Sequence, residues 1–585
     1  MTRTLWWIPL VLASVGLATG CYAGLEPGQG EGADELGTDG SEVGSDAGES
    51  GESDESSDGD AGTEAGEPEP GIYADGIAVD RVEINQAVGI DLGMGGQAIA
   101  EGSRVAPVIA GRPGLVRASW SIDAGFEPRM IQARLILTAD EGTTSYVLER
   151  YVGAAPGPND WGSFDGVFTW ELDADAITGS TAITVELLED DGSRAGADAS
   201  EGARFPATGG LDLAAIDGPM TVKVMIVPAT DPNVDSTPIT ISDAFLDELR
   251  VNLYNFYPVR DVELQVHEPL LLNACYDGPS VMAQLSALRN AEGLGDEWYY
   301  HAIVGNSNES YCNTGGYSWL LEDEFPGNDR VSFSINHWGE SPNNWTHELG
   351  HCHGRPHTWE DGTYQPAAAD GPDCGRRTTW GYALLPGPHP KANEWDFPAL
   401  QDLDDWLVPP TEGLGLSGYC LGHSDYDTWG PALNDMMSYA YPYWISAYTY
   451  RELAERVAIV SSYGSPAPGG GGDLGAAAEG DPRSLNLVFT ADGSVHQYVS
   501  RGWPKGLQSG GELGLRVELR GATQSESRAL KFAPKRGPEG EIRGLVIPLG
   551  EHGPNAWSAG ELEIEGALTG SQADAPTTHR LVIEG

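Results

Sequence analysis

One run of eleven residues contains the side chains needed to hold and use a metal ion: His347-Glu348-Leu349-Gly350-His351-Cys352-His353-Gly354-Arg355-Pro356-His357. On an α-helix, residues i and i+4 lie one above the other. His347 and His351 can therefore present two imidazole nitrogens to one zinc ion at about 2.0–2.1 Å. Glu348 then projects beside the metal, where it can take a proton from bound water and pass it to a leaving amine. The run predicts a zinc-dependent hydrolase.

A third protein ligand is expected just beyond the helix. Gly354 can adopt the left-handed conformation that ends a helix, and the turn would bring His357 back to the metal. Three histidines leave one zinc position open for water, whereas a structural zinc site has four protein ligands and no base. The prediction is a single catalytic Zn2+ held by His347, His351 and His357, with a structural calcium ion left open.

The other histidines have weaker claims to the metal. His353 lies two residues from His351, so helical geometry turns it away from the ion and predicts a surface or supporting residue. His301, His337 and His423 could hydrogen-bond near the site, although ordinary strand or loop positions are the better interpretation.

The complete pattern HExxHxxGxxH resembles the zinc site of the metzincin clan of metallopeptidases. Members of this clan carry a Met-turn beneath the zinc, and Asp435-Met436-Met437-Ser438-Tyr439 follows about 80 residues after the motif. By this resemblance Met437 is the hydrophobic floor, Met436 is the less fitting alternative, and Tyr439 stabilises the transition-state oxyanion. Thr358 follows the third histidine, so the resemblance implies the clan and no family within it.

The resemblance implies a zinc metalloendopeptidase that hydrolyses extracellular protein or glycoprotein substrates, with Glu348 and Tyr439 as catalytic residues. The alternative is a cell-surface binding lipoprotein whose β modules bind and whose zinc site is structural or silent. Glu348 favours the enzyme, because a structural site has no use for a base. The sequence contains no P-loop, dinucleotide fingerprint or GxSxG elbow, so competing enzyme classes have no motif here.

The amino terminus is typical of an export signal. Arg3 supplies positive charge, and Leu5 to Leu17 form an apolar stretch too short for a mature membrane-spanning helix. Leu17-Ala18-Thr19-Gly20-Cys21 resembles the bacterial lipobox, in which the cysteine is acylated. Residues 1–20 are therefore predicted to be a signal peptide, with a lipid anchor on Cys21 at the outer membrane or cell surface. Plain secretion is the alternative.

Charge excludes one class of partner. A formal net charge of -56 repels phosphate backbones, so no nucleic-acid partner is expected. Residues 23 to 72 contain sixteen Asp and Glu and no Lys or Arg. With almost no apolar side chains to bury, residues 21–72 are predicted to be the lipidated Cys21 followed by a disordered acidic linker. The oligomeric state is left open.

Hydrophobic patterns predict a multidomain fold. Short period-two runs predict an immunoglobulin-like β-sandwich over residues 73–213. Strands then alternate with helices, which predicts an α/β catalytic domain over residues 214–464, metzincin-like by the resemblance above. Residues 465–483 read as a Gly-, Ala- and Pro-rich linker, and alternating runs predict a small all-β, sandwich-like module over residues 484–585.

Individual elements follow from the same patterns. The predicted helices are Ser242–Tyr254, Pro279–Asn290, Asn344–His353 and Thr449–Ile459, the last with a capping box formed by Thr449 and Glu452. The predicted strands are Val105–Val108, Leu115–Ile122, Ile131–Leu137, Val167–Leu172, Ala182–Leu187, Thr221–Val227, Val262–Val266, Tyr299–Val304, Val331–Ile335, Leu485–Phe489, Leu513–Leu519, Leu545–Ile547, Leu562–Ile564 and Leu581–Ile583.

Five cysteines remain after Cys21: Cys275, Cys312, Cys352, Cys374 and Cys420. In an oxidising compartment most should be bridged, and an odd number leaves one without a partner in the chain. Spacing alone does not determine connectivity. The hypothesis pairs Cys275 with Cys312 and Cys374 with Cys420, and leaves Cys352 packed on its helix.

Overall fold

A computed structural model of the chain describes residues 71–156, 166–189, 196, 202–233, 238–272, 275, 277–305, 312, 315–321, 325, 327–336, 342–357, 434–437, 443–445, 447–464, 483–490, 494–501, 504, 508–509, 516–521, 527–529, 531–538, 542–549, 559–566 and 577–584. These residues form six β-sheets and four α-helices. The β-rich, multidomain character expected from the sequence is confirmed. The predicted signal peptide and all but the last residues of the two predicted linkers lie outside the described residues, and Arg483, predicted to end the second linker, begins a strand.

The first module consists of short antiparallel strands. They are β1 (Ile77–Asn85), β2 (Gly89–Met94), β3 (Gln97–Ala98), β4 (Gly114–Ile122), β5 (Arg129–Ala139), β6 (Gly142–Val152), β7 (Phe168–Leu172), β8 (Ala182–Glu189), β9 (Arg204–Phe205) and β10 (Leu211–Asp212). One sheet has the order β3-β2-β1-β4-β7, and the other has the order β10-β8-β5-β6 with β9 paired to β8. Apolar side chains from both sheets belong to one buried cluster.

The predicted strands match β4, β5, β7 and β8, where apolar residues alternate. The predicted strand Val105–Val108 is wrong: this stretch is irregular, and its neighbour Ile109 makes an isolated bridge to Ile216 instead. The long strand β6 was not predicted. It lies at a sheet edge with most residues partly or fully exposed, so it lacks the apolar face that a period-two search detects.

The central part of the chain forms a mixed sheet. Its strands are β11 (Thr221–Thr230), β12 (Asp261–Val266), β13 (Leu270–Leu271), β14 (Trp298–Gly305), β15 (Gly316–Ser318) and β16 (Val331–Asn336). Their order is β12-β11-β14-β16-β15, with β13 also paired to β11. All pairs are parallel except the edge pair of β15 with β16, which is antiparallel. Parallel strands are buried on both faces and need helical cover.

Helices supply that cover. They are α1 (Asp243–Phe256), α2 (Gly278–Glu292), α3 (Pro342–Cys352) and α4 (Ala447–Ser462). The Ser242 hydroxyl caps α1 by accepting a hydrogen bond from the backbone N–H of Phe245 at 3.1 Å. The capping box predicted for the last helix is wrong, because α4 begins two residues before Thr449. Among the described residues, no helix has both the length and the apolar character needed to cross a bilayer.

Two short strands precede α4. They are β17 (Asn434–Asp435) and β18 (Tyr443–Trp444), and they pair in parallel. The chain then enters the last module, whose strands are β19 (Arg483–Phe489), β20 (Val495–Arg501), β21 (Gln508–Ser509), β22 (Arg516–Gly521), β23 (Ser527–Ala529), β24 (Lys531–Arg536), β25 (Ile542–Leu549), β26 (Ala559–Gly566) and β27 (Thr577–Glu584). These form antiparallel sheets with orders β20-β19-β25-β24-β21 and β23-β22-β26-β27. The predicted all-β content here is confirmed.

A buried arginine joins the first module to the mixed sheet. Arg112 is 0% exposed and donates hydrogen bonds to the backbone carbonyls of Val259, at 2.9 Å, and Tyr254, at 2.8 Å. Its guanidinium carbon also lies 4.4 Å from the centroid of the Tyr254 ring. A buried charge is unfavourable unless its hydrogen bonds are satisfied, and these carbonyls lie at the end of α1 and just beyond it. The contact therefore fixes the first module against α1.

The disulfide hypothesis is confirmed where the described residues cover it. Cys275 and Cys312 are bonded to each other, which ties the segment before α2 to the segment before β15. Cys352 is buried at the end of α3 and forms no disulfide with another described cysteine, as expected. Cys374 and Cys420 lie outside the described residues.

A buried histidine lies in the middle of the parallel sheet. His301 on β14 is 0% exposed, and its ring nitrogens Nδ1 and Nε2 lie 2.7 Å and 2.9 Å from the hydroxyls of Ser332 and Ser334 on β16. Burial lowers its pKa to about 3. His301 is therefore a neutral core residue, and its interpretation as an ordinary strand position is confirmed.

Protonation of the unfolded chain at residue 301 is expected to make stability depend on pH. The unfolded histidine binds a proton below its ordinary pKa of about 6.5, whereas the folded one stays neutral down to about 3. Stability is therefore lost as pH falls through this window, by about 2 kcal/mol between pH 7.5 and 5.0. The measurement compares the free energy of unfolding of wild type and His301→Gln at both pH values in excess chelator, so that metal release makes no contribution. Equal pH dependence in the two proteins would contradict this account.

Candidate metal centre

Three histidine side chains converge at the C-terminal end of α3. His351 Nε2 lies 3.2 Å from His347 Nε2 and 3.1 Å from His357 Nε2. One ligand atom from each residue lies within 4.8 Å of the other two, as in a group that could hold a metal ion. The structure thus brings together the three histidines that the motif predicts as ligands.

Backbone carbonyls determine which nitrogen of two of these rings faces the centre. His347 Nδ1 lies 2.7 Å from the carbonyl oxygen of Met436, and His351 Nδ1 lies 2.6 Å from that of Arg355. A carbonyl oxygen only accepts hydrogen bonds, so each Nδ1 carries the hydrogen and donates it. In a neutral ring, Nε2 is then a lone-pair donor, which is the form that binds a metal.

The donor set fits a zinc ion. Burial, together with the neighbouring imidazoles, lowers the pKa of both His351 and His357 well below the usual value, so these rings are neutral at pH 7. The Nε2 atoms of His347 and His351 have no hydrogen to share with each other. Two nitrogens bound to one tetrahedral zinc ion at about 2.0–2.1 Å lie ~3.3 Å apart, close to the separations seen here. A cation bound between the rings would accept these lone pairs. Neither ring can do so for the other, because neither Nε2 carries a hydrogen.

The turn after α3 brings the third histidine into place. Gly354 has a φ of +76°, the left-handed conformation predicted for it, and the Arg355 backbone N–H donates to the Gly350 carbonyl at 3.0 Å. A Cβ at Gly354 would lie 2.5 Å from the backbone oxygen of Leu321, so the position has no room for a side chain. The Arg355 guanidinium then pairs with Glu452 of α4 at 3.3 Å, which anchors the chain before His357.

The carboxyl group of Glu348, the residue after His347, is enclosed. Glu348 is 2% exposed, and its Oε2 has no hydrogen-bond partner among the described protein atoms. A Cβ at Gly316 on β15 would overlap its Oε1, so the edge strand passes directly against this side chain. Burial raises the pKa of Glu348 well above its usual range. An unpartnered, buried carboxyl group of this kind is a candidate acid or base.

The two methionines after β17 reach the motif helix in different ways. Met436 provides the carbonyl oxygen that receives the His347 N–H. Met437 is fully buried, and a Cβ at Gly350 would overlap its sulfur atom. Met437 therefore lies against α3 beneath the motif, where the resemblance places the floor. Tyr439 and the lipidation candidate Cys21 lie outside the described residues.

His353 is buried, so of the two predicted alternatives the surface position is excluded and the supporting role fits. Its ring stacks on Tyr299 with centroids 4.9 Å apart, and its Nδ1 donates to the Leu349 carbonyl at 2.8 Å. The Tyr299 hydroxyl lies 3.1 Å from its Nε2, and the Tyr257 ring meets it edge-on. Burial lowers the pKa of His353 to about 3. It is outside the metal-ligand group, as expected, and it packs α3 against β14. His337 and His423 lie outside the described residues.

Several supporting residues were not predicted from the sequence. Cys352 Sγ lies 3.0 Å from the Ser318 hydroxyl and 3.2 Å from the Val331 carbonyl oxygen, which links α3 to β15 and β16. Gly316 and Gly350 allow the close approaches described above. A glycine inside a helix costs about 1 kcal/mol relative to alanine, so Gly350 carried a sequence signal for tight packing. Gly316 and Ser318 lie in a strand too short to be recognised.

No protein-family model matches the chain, and no curated protein matches it. Among solved structures, a putative beta-galactosidase from Bacteroides fragilis is similar at 8% identity over 87% of this chain and 73% of that one, with a TM-score of 0.13. A beta-glycosidase from Bacteroides vulgatus is similar at 10% identity over 88% and 80%, with a TM-score of 0.14. Neither superposition demonstrates a shared fold.

Replacing Gly354 should loosen the metal centre. Gly354→Ala combines a left-handed backbone, which costs a residue with a Cβ about 1–2 kcal/mol, with a collision against Leu321 that adds about 1–3 kcal/mol of overpacking. Gly293→Ala is the matched control, because Gly293 also has a positive φ of +60° but open space around its Cβ position. We expect a larger loss of unfolding free energy for Gly354→Ala, and a lower bound-zinc content only in that variant. Equal effects of the two substitutions would contradict the steric account.

Proposed function

We propose that this chain is a zinc-dependent endopeptidase with a metzincin-like catalytic domain. The observation that carries the proposal is the convergence of His347, His351 and His357 on one point, together with the burial of Glu348, the residue after His347, whose Oε2 has no hydrogen-bond partner among the described atoms. The mixed sheet and α3 are compatible with the α/β domain that the motif implies. The metzincin assignment, with Met437 as floor and Tyr439 as oxyanion donor, belongs to this proposal.

Each residue has a distinct role in the proposed reaction. When bound by the three histidines, Zn2+ would lower the pKa of a water molecule and polarise the scissile carbonyl. Glu348 would accept a proton from the attacking water and donate one to the leaving amine. The hydrogen bonds of His347 to Met436 and of His351 to Arg355 hold the imidazole rings in the tautomer that binds metal.

Enclosure of Glu348 supports this division of roles. A carboxylate in water has a pKa near 4 and is a weak base at neutral pH, whereas general-base catalysis is most effective when the pKa lies near the working pH. Burial raises the pKa of Glu348, and a nearby dication would act in the opposite direction by favouring the charged form. A metal ion held by the three histidines would therefore offset the effect of burial on the pKa of Glu348.

The wider setting is proposed from the sequence. Export, a lipid anchor on Cys21 and extracellular protein or glycoprotein substrates follow from the signal-like amino terminus and the lipobox-like motif. An acidic linker after Cys21 would hold the folded modules away from the membrane.

Substitution of Glu348 separates catalysis from metal binding. In Glu348→Gln we expect zinc content equal to wild type and cleavage of an unfolded protein substrate reduced by about 10^2–10^4-fold, the usual contribution of a general base. In His351→Ala we expect loss of both zinc and activity, because a ligand is removed. Glu263→Gln, on the edge strand β12 with a side chain 41% exposed, is the matched control and should behave as wild type.

These measurements also decide between the two functions. Full activity in Glu348→Gln would refute the proposed mechanism. A wild-type protein that holds one zinc ion yet cleaves no unfolded or glycosylated substrate would favour the binding lipoprotein. Metal content is measured by elemental analysis after dialysis, and cleavage by release of new amino termini.

A further inference from the structure

A buried ion pair joins the C-terminal module to the mixed sheet. Lys535 on β24 contacts the carboxylate of Asp329, and the two side chains are 5% and 1% exposed. The Tyr498 hydroxyl donates to the same carboxylate and lies 2.6 Å from Lys535 Nζ. Asp329 lies two residues before β16, the strand that pairs with the edge strand β15. The pair therefore connects the last module to the part of the sheet nearest the metal centre.

A buried charged contact between these two modules requires an explanation. Removing two charges from water is costly, and a well-packed apolar pair would hold two modules together equally well. A buried pair does something an apolar contact does not: breaking it leaves a charge without a partner, so it selects one arrangement of the surrounding chain. Lys535 Nζ also lies 5.4 Å from the ring centroid of Trp319 and 5.0 Å from that of Tyr498. The pair thus specifies the position of Trp319 as well as that of β16.

From Trp319 the contacts lead directly to the motif. The next residue, Leu320, forms an isolated antiparallel bridge with Arg536, and its N–H donates to the Arg536 carbonyl at 3.0 Å. Leu321 follows, and its N–H donates to the backbone carbonyl of His351 at 3.3 Å. The Leu321 carbonyl oxygen is the atom that leaves no room for a side chain at Gly354. Three consecutive residues therefore run from the C-terminal module to a predicted metal ligand.

The same segment touches the candidate base at its other end. We define residues 316–321 as the wall segment. Gly316 at its start lies against Glu348, and Ser318 in its middle lies 3.0 Å from the sulfur of Cys352 on α3. One side of the wall segment therefore contacts Glu348 and His351, while Lys535 and Arg536 hold it through Trp319 and Leu320.

We propose that Lys535 and Asp329 are positioning residues for the metal centre, and that the C-terminal module is a working part of the catalytic unit. The C-terminal module fixes the position of the wall segment, and the wall segment fixes the positions of Glu348 and His351 relative to each other. The catalytic consequence rests on the proposed peptidase function, whereas the structural link from Lys535 to the wall segment does not.

The test uses the whole exported chain and three variants. Lys535→Met keeps the length of the side chain and removes its charge, and Tyr498→Phe removes one hydroxyl as a milder change should the first variant fail to fold. Arg134→Met is the matched control: it removes another buried ion pair, with Glu186 at 2.6 Å in the first module, far along the chain from the wall segment. Three readouts are compared: amide hydrogen exchange of residues 316–321, the visible absorption spectrum of the Co2+-substituted protein, and kcat with KM.

For Lys535→Met we expect amide exchange of the wall segment at least tenfold faster than in wild type, because local opening is less opposed. We also expect an altered Co2+ spectrum and a kcat lowered at least tenfold with KM changed less than twofold. Tyr498→Phe should shift the same readouts in the same direction by smaller factors. Arg134→Met should leave all three as in wild type.

Each outcome bears on one claim. Unchanged exchange and an unchanged Co2+ spectrum in folded Lys535→Met would overturn the inference, as would equal changes in Arg134→Met. If wild type neither binds Co2+ nor cleaves any substrate, the proposed function fails. The exchange rates of residues 316–321 in the variants then decide by themselves whether Lys535 positions the wall segment.

Discussion

The arrangement of this part of the chain depends on three imidazole nitrogens that lie within 4.8 Å of one another. Two of these nitrogens carry no hydrogen, because the other nitrogen of each ring donates its hydrogen to a backbone carbonyl. The Nδ1 atoms of His347 and His351 donate to carbonyl oxygens, so their Nε2 lone pairs face the same point. Lone pairs repel unless a cation lies between them. The helix, the left-handed turn at Gly354 and the methionines after β17 are all needed to produce this convergence, and none of them produces it alone.

The candidate metal centre also requires that neighbouring groups pack very close to the backbone, and glycine permits this at three positions. Gly350 admits the sulfur of Met437, Gly354 admits the carbonyl oxygen of Leu321, and Gly316 admits the carboxyl group of Glu348. At each of these positions a Cβ would occupy space already filled by a neighbouring atom. Met437, Leu321 and the edge strand β15 therefore enclose the centre. Burial raises the pKa of Glu348 and lowers the pKa values of His351 and His357.

Buried cations join the modules in a chain that is otherwise strongly acidic. The chain has 32 Lys and Arg against 88 Asp and Glu, yet Arg112 and Lys535 are placed in the interior at the two junctions. Arg112 donates hydrogen bonds to carbonyl oxygens at the end of α1 and just beyond it, and Lys535 contacts Asp329 and Tyr498. Such groups select one arrangement, because any other leaves a charge without partners. Both β modules are thereby held against the part of the chain that carries the histidines.

The sequence by itself determined what depends on local spacing. Backbone geometry and side-chain periodicity predict the i and i+4 histidines, the glycine that ends α3 and the alternating apolar residues of β5 and β8, and the structure has each of them. Strand β6 and the true start of α4 were missed or misplaced, because an exposed edge strand has no apolar face and a helix start depends on what packs against it. Tertiary structure alone decided that His353 is buried, that Met436 contributes a carbonyl oxygen, that Gly316 faces Glu348 and that Lys535 reaches Asp329. These partners are distant in sequence, and only the packing of α3 against the sheet and of the last module against the wall segment brings them within contact distance.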